Sequence, residues 1–380
     1  MLLVGGWRCA RVALVMVLIG AAAVPALAQE SSGQSGFLGL LRSRDLSPFG
    51  FNRLDMRPAH AVSGPKGTWA VEAELGYQNT WALSPQVESY LTGLESQGRR
   101  TLGPQDVEAI RALPGENYLV DLELALLDLT FHYKFAEHFT AYATVSGVVA
   151  GGGFLDSSIE SFHDAFGFSS FGRPAVKRNQ INVIYDLKTS SYAQLGERET
   201  NGGGVLDPTF GIRYSNFRMP TTWNLVIESA VKVPLQGYRE YLSSGRVDVG
   251  LQATLQKFYR SRAFYLSFAG VYYDGSPDTP VSQSMVIPTV IFGVEQRVAR
   301  NTNVILQLYG SESTYSREET DLDELLKNKY QASLGVYHHM GRGVVSFAMT
   351  ENLQNLNNTP DIGFQIGWAY SPALARRINN

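Results

Sequence analysis

From Thr68 onward, hydrophobic and polar positions alternate with a period of two. Trp69, Val71, Ala73, Leu75 and Tyr77 alternate with Ala70, Glu72, Glu74, Gly76 and Gln78. That gives one apolar and one charged face over about the length a tilted strand needs to cross a bilayer. The pattern recurs in 247–255, 330–336 and 362–370. Taken along the chain, it predicts strands near 68–79, 117–135, 139–151, 207–216, 222–234, 246–258, 263–274, 285–298, 303–315, 328–339, 343–353 and 361–371. Within 117–135 the apolar phase moves from even to odd positions, which predicts a bulge near Leu126. The segment 263–274 is apolar on both faces, so the pattern leaves its register open.

The joins between these strands alternate in length. Ala136-Glu137-His138, Arg218-Met219-Pro220-Thr221, Arg260-Ser261-Arg262, Arg300-Asn301-Thr302 and Gly341-Arg342 are tight turns. Between them lie the longer joins 80–116, 152–206, 235–245, 275–284, 316–327 and 354–360. An even strand number with short turns on one side and long loops on the other is the pattern of outer-membrane barrels. A β-sandwich also alternates apolar and polar positions, but it has no reason to alternate loop lengths. The expected fold is therefore all-β: an antiparallel up-and-down transmembrane β-barrel of about 12 strands, with both termini periplasmic. In that topology Trp69, Phe139, Trp223, Phe264, Trp368 and Tyr370 form an aromatic girdle at the short-turn ends. Tyr77, Trp81, Tyr309 and Tyr315 form its counterpart at the other ends. Charges cannot face lipid cheaply, so Glu72, Glu74, Asp121, Glu123, Arg213, Glu228, Lys232, Asp248, Glu295, Arg297 and Glu351 are expected to line a polar lumen.

The first 28 residues change the picture by adding an address. Arg8 and Arg11 precede the apolar run 12–24, and Ala26-Leu27-Ala28 is a small-x-small cleavage site. The apolar run is shorter than the roughly 20 residues of a membrane helix. Cleavage near Ala28 removes two arginines and the only cysteine, Cys9, moving the net charge from −3 to −5 (−3 minus 2). The mature chain then has neither a disulfide nor a cysteine metal site to build, and its mild acidity argues against nucleic acid as a partner. Beyond the signal no stretch reaches 18 apolar residues, so no membrane helix is expected. Localisation in the outer membrane of a Gram-negative bacterium follows as the expectation, with outer-membrane lipid as the surrounding partner. Residues 29–67 read as an N-terminal arm, either periplasmic or inserted in the lumen. The barrel then occupies 68–371 and a short tail 372–380. The aromatic-rich strand 361–370 is similar to the C-terminal strands by which the barrel-assembly machinery recognises its clients, although here the chain continues past Tyr370.

The join 152–206 is too long for a simple connection. It carries Phe162-His163-Asp164-Ala165-Phe166-Gly167, Phe171-Gly172-Arg173-Pro174 and Lys177-Arg178-Asn179, and the arm carries Arg44-Asp45-Leu46-Ser47-Pro48-Phe49-Gly50. With the barrel pattern, these strings resemble a proteobacterial family of outer-membrane barrels of unknown function, over most of the mature chain; the resemblance implies a fold and no activity. Physically, the long join is expected to tuck into or over the lumen and narrow it, with His163, Asp164, Arg173, Arg178 and Asn179 as its constricting residues.

Catalytic and metal chemistry find little support. His163 and Asp164 are adjacent, and adjacent residues rarely face one another as base and orienter. His338 and His339 fall on opposite faces of a strand and cannot share a metal. No nucleophile elbow of the G-x-S-x-G type occurs. Glu72/Glu74 and Asp121/Glu123 read as a solvated wall paired with basic residues rather than as an acid–base pair. No cofactor is expected. The leading function is a passive channel or transporter for small solutes. The alternatives are an enzyme at the outer leaflet and a closed structural or interaction barrel. A 12-strand barrel lies between filled 8-strand and open 16–18-strand barrels, so size alone does not choose.

Overall fold

The computed structural model describes residues 36–58, 64–167, 169–197, 203–218, 223–235, 237, 242–275, 284–354 and 359–372. The signal segment, the start of the arm, the turn residues 219–222 and the tail from 373 onward lie outside the described residues. In chain order the elements are β1 (Trp69–Leu83), α1 (Pro85–Leu94), α2 (Pro104–Arg111), β2 (Asn117–Tyr133), β3 (Phe139–Gly151), α3 (Asp156–Phe166), β4 (Ile181–Asp186), β5 (Ser191–Glu197), β6 (Gly204–Val205), β7 (Thr209–Arg218), β8 (Asn224–Lys232), β9 (Asp248–Tyr259), β10 (Arg262–Tyr273), β11 (Met285–Ala299), β12 (Thr302–Ser311), α4 (Asp323–Leu326), β13 (Lys329–Met340), β14 (Gly343–Gln354) and β15 (Ile362–Tyr370).

Twelve of these strands close into an antiparallel barrel in the order β1-β2-β3-β7-β8-β9-β10-β11-β12-β13-β14-β15, and β15 returns to pair with β1. Closure removes the unpaired sheet edges, so the wall satisfies its own backbone hydrogen bonds. No helix among the described residues is long and apolar enough to cross a membrane. The three extra strands extend the wall at the long-loop end: β4 takes over from β3 as the neighbour of β2, β5 pairs with β4, and β6 pairs with β3. Each barrel strand sits within a few residues of the segment its alternation marks out.

The expected bulge near Leu126 is absent. β1 and β2 pair without a shift from Trp69↔Tyr133 to Leu83↔Leu119, and β2 and β3 likewise. What changes along β2 is the surroundings, not the register. In its second half, Leu127, Leu129, Phe131 and Tyr133 point out and are exposed, while Asp128, Thr130 and His132 point in. In its first half both faces are covered. Tyr118, Leu122, Leu124 and Leu126 pack inward on Leu46, Phe49 and Phe51, and Leu119 packs outward under α1, α2 and β4. β10 acquires its register from its neighbours. Tyr265, Ser267, Val271 and Tyr273 face in, and Thr254 shares a 2.8 Å hydroxyl contact with Ser267.

An apolar belt runs round the outside of the barrel, including Leu75, Leu129, Leu251, Phe292, Leu308, Leu334, Phe347 and Ile366, each more than 40% exposed. Aromatic rings gather at its short-turn edge: Trp69 lies 5.6 Å from Tyr370, Trp368 6.1 Å from Tyr370, and Phe139 5.0 Å from Tyr214. The matching set expected at the opposite edge does not form. Trp81 is buried beneath Arg173, Tyr77 stacks on Phe154, and Tyr309 and Tyr315 belong to the interior.

The interior is filled by the N-terminal arm. Residues 36–58 enter at the short-turn end, where Asn303 Nδ2 donates to the Gly36 carbonyl at 2.7 Å. They climb to the long-loop end, where Thr314 Oγ1 donates to the Phe49 carbonyl at 2.7 Å. After a turn at 48–53 the chain descends again past Tyr273, whose hydroxyl donates to the Leu54 carbonyl at 3.1 Å. Inward-facing glycines make room for it. A Cβ at Gly293 would stand 2.2 Å from Leu40 Cδ2, and one at Gly335 would stand 2.7 Å from Leu41 Cδ2. A Gly293→Leu substitution is therefore expected to expel the arm. Residues 36–58 should become protease-sensitive while the barrel keeps its heat-modifiable migration, and unchanged protection of the arm would contradict this packing.

Candidate functional site

The functional candidate is the interface between the arm and the inner wall. Four arginines fall within residues 42–57: Arg42, Arg44, Arg53 and Arg57. Strand alternation places carboxylates opposite them. Arg42 meets Glu72 on β1 at 3.0 Å, and Arg44 meets Asp128 on β2 at 3.2 Å. Arg57 bridges Glu74 and Asp128, at 3.0 Å each. Arg53 meets Asp248 on β9 at 2.7 Å, and Lys232 on β8 meets the same carboxylate at 3.1 Å. All of these side chains are at least 86% buried. Taking such charges out of water costs several kcal/mol per ion unless each finds a close opposite charge and hydrogen bonds. The arm supplies both.

Backbone donors of the arm complete the match. The Leu38 and Gly39 N–H groups donate to Glu295 at 3.0 and 3.1 Å, and the same carboxylate accepts from Tyr265 at 2.6 Å. Leu46 N–H donates to Gln78 and Leu54 N–H to Asp248, both at 3.0 Å. Arg297 lies with its guanidinium carbon 5.0 Å over the Phe37 ring. Thus Glu72, Glu74, Lys232, Asp248, Glu295 and Arg297 face inward onto the arm, while Arg213 and Glu228 pair with each other at 2.7 Å. Alternation alone did not single out the arm's own contribution or Asp128. The sequence signal was available in the arginine cluster of 42–57 placed ahead of an acid-bearing wall.

A narrow polar cleft remains between the arm and β3, β7 and β8. The arm lines it with Arg42, Arg44, Arg53, Arg57 and Asp55, and the wall with Tyr142, Thr144, Asp207, Glu228 and Lys232. Glu72, Glu74, Asp128 and Asp248 balance the arginines from behind and do not line it.

Three expected lumen residues point the other way. Asp121 and Glu123 lie on the outward face of β2, and Glu351 is exposed on the outward face of β14. The reason is that β1, β2 and β14 run past the apolar belt at the long-loop end, where an outward charge meets covering loops or solvent instead of lipid. Glu123 shows this most clearly. It accepts from Phe154 N–H at 3.1 Å, Leu155 N–H at 2.8 Å and Asn79 Nδ2 at 3.2 Å, and from the Tyr77 hydroxyl. Gly153 permits the approach. It has a φ of +63°, and a Cβ there would lie 1.8 Å from the carboxylate carbon. Asp121 accepts from Asn182 Nδ2 at 2.8 Å.

The five residues expected to constrict the bore do not enter it. The join 152–206 splits into α3, β4, β5 and β6, and the three strands extend the wall. Phe171 and Val176 pack on the wall's outer side with α1 and α2, while Ile181, Val183 and Leu206 join the interior cluster of Leu46 and Phe49. Arg173 is the pin. It donates to Asp156 at 3.2 Å and Asn79 at 3.0 Å, pairs with Asp361, and lies 4.9 Å over Trp81. Burial raises the Asp361 carboxyl above the usual range, and Arg173 offsets part of that. In the neighbouring loop burial also works against the Asp106 carboxylate, but hydrogen bonds from Arg100, Gly103 N–H and Tyr90 outweigh it and hold the group below its ordinary value. Asn179 N–H donates to Asp156 at 2.8 Å, and Arg178 pairs with Glu160. His163 turns its Nδ1 to the Ser169 carbonyl at 2.9 Å, and Asp164 is exposed. The constriction expected of these five residues is replaced by a clamp on the outer side of the wall. No cluster of His, Cys, Asp and Glu suited to a metal occurs among the described residues.

The arm's pairs carry a direct test. An Asp128→Ala substitution strands Arg44 and leaves Arg57 with Glu74 alone, and breaking one side of a buried pair costs about 3–5 kcal/mol. The heat-modifiable transition should move to markedly lower temperature. Truncating the exposed Arg317–Asp323 pair should move it little, since exposed pairs contribute about 0–1 kcal/mol. Equal shifts would refute the assignment.

Among solved structures, the chain is similar to the COG4313 outer membrane channel from Pseudomonas putida F1 (11% identity, 81% of this chain and 97% of that one, TM-score 0.47). It is also similar to the NanC porin (8% identity, 79% and 98%, TM-score 0.41). A third is the P. putida toluene transporter TodX (10% identity, 81% and 90%, TM-score 0.36). Likenesses at this level say nothing of function. No curated protein matches the chain. A family model described as "Protein of unknown function (DUF3187)" matches residues 15–371.

Proposed function

The chain belongs to the DUF3187 family, and from that premise, which carries no activity, we propose that it is an outer-membrane barrel acting as a passive channel or transporter for small solutes. The observation that carries this reading is the pairing of an apolar outer belt with a charged interior that keeps a polar cleft beside the arm. An exposed belt of this extent on a closed barrel calls for a lipid surround. The signal-like residues 1–28 and the aromatic edge at the short-turn end support placement in a Gram-negative outer membrane with the short turns periplasmic. Strand β15, which closes the barrel against β1, is then the segment offered to the assembly machinery.

A second reading has its own support. The arm occupies the lumen with buried salt bridges and apolar knobs, as a permanently closed structural barrel would require. Planar-bilayer conductance separates the two. The full-length protein should show small discrete steps, and deletion of 36–58 should enlarge them. Deletion of α3 should leave them unchanged, because α3 lies outside the wall. Silence of both the full-length and the arm-deleted barrels, each verified as folded by heat-modifiable migration, would sink the channel reading in favour of the closed one.

A further inference from the structure

Arg213 stands apart from the other interior arginines. Its residue is fully buried, and its Nε donates to Glu228 at 2.7 Å. Nη1 and Nη2, however, have no hydrogen-bond partner. A guanidinium has five N–H donors, so four of them point into the interior unused. Leaving donors of a buried charge unsatisfied is expensive, more so than for a neutral group. The arm's arginines each find a carboxylate among the wall residues, and this one shares a single carboxylate edge only. Its partner Glu228 is already engaged on its other oxygen by the Tyr142 hydroxyl at 2.8 Å.

Arg213 and Thr140 stand just behind the cleft lining, which includes both groups that Arg213 touches, Glu228 and Tyr142. Tyr142 and Glu228 both line the cleft beside the arm, and the guanidinium carbon lies 5.5 Å from the Tyr142 ring centre. Thr140, the register partner of Arg213 on β3, points to the same side and leaves its Oγ1 buried without a partner. Arg42 contributes a further cation to the cleft lining. The Nη1/Nη2 edge of an arginine is the fork that holds a carboxylate or phosphate through two parallel bonds. We propose that Arg213, with Thr140 beside it, forms a binding site for a small oxyanion, a carboxylate or phosphate group, reached through the cleft between the arm and β3, β7 and β8. The inference rests on the proposed channel only in taking the cleft as the route by which solute arrives. The cleft lining carries five cations, Arg42, Arg44, Arg53, Arg57 and Lys232, against three carboxylates, Asp55, Asp207 and Glu228, so the balance along the route favours an anion.

The test is calorimetric titration of the full-length, detergent-folded protein with inorganic phosphate and, separately, with acetate, against a chloride background. Saturable binding of either at millimolar concentration is expected. The double substitution Arg213→Gln/Glu228→Gln removes the fork without stranding Glu228 and should weaken binding at least about tenfold, the scale of one charge-assisted pair. Arg213→Lys, which keeps the charge and loses the fork, should fall between. Thr140→Val leaves the ion pair intact and should cost a few-fold, which keeps the question open to refutation if the double variant fails to migrate as a folded barrel. Absence of saturable binding by the unaltered protein, or equal affinity in the double variant, overturns the site. Binding without bilayer conductance would keep the site and discard the channel. Conductance without binding would do the reverse.

Discussion

Everything inside this barrel depends on how buried carboxylates are neutralised. Glu72, Glu74, Asp128, Asp248 and Glu295 stand on inward positions of β1, β2, β9 and β11, and their near-burial would be prohibitive unless each met a cation or a set of donors. Arg42, Arg44, Arg53, Arg57 and the N–H groups of Leu38 and Gly39 meet that need from one short segment. Electrostatic pairing therefore fixes the arm's path, and apolar knobs seated over inward glycines fix its depth. The arm and the wall are best regarded as one interior whose halves come from different parts of the chain.

That arrangement divides the work of the molecule by height. Around the apolar belt, polar inner positions face the arm and apolar outer positions face away. Above the belt the same strands continue with both faces covered, and charges such as Asp121 and Glu123 turn outward into a second layer held by Arg173. The long loops consequently cover the rim and cap the bore, where Leu206, Leu242 and Leu325 share one cluster with Phe49 of the arm. The cleft left in the bore lies beside the arm.

The fold was legible in the chain because a period of two and alternating join lengths are properties of local sequence. Strand positions, closure partners and the direction of most charges followed from them. The exceptions have one cause. Alternation says which residues share a face, but not where along a strand the apolar belt stops. Charge alone points Glu351, Asp121 and Glu123 inward, and the change of apolar phase in β2 reads as a bulge although only the environment changes. Of 152–206 only the apolar-leaning stretch 181–185, where β4 forms, is legible, because the pairing of β4 with β2 depends on contacts distant in sequence. The arm's role was half visible. Its arginines are plain in the sequence, yet their partners become evident only once Glu74, Asp128 and Asp248 are brought to one interior.

The central claim is that residues 36–58 reside within the closed barrel, and cysteine labelling tests it most directly. The only native cysteine is Cys9, in the signal-like segment, so Leu41→Cys would supply a unique reporter at a position buried against Gly335. The folded barrel should leave this thiol unreactive towards a bulky polar maleimide, while a control at the exposed Arg262 reacts and urea unfolding releases Leu41→Cys to full reaction. Labelling of Leu41→Cys in the folded protein as fast as the exposed control would contradict the account.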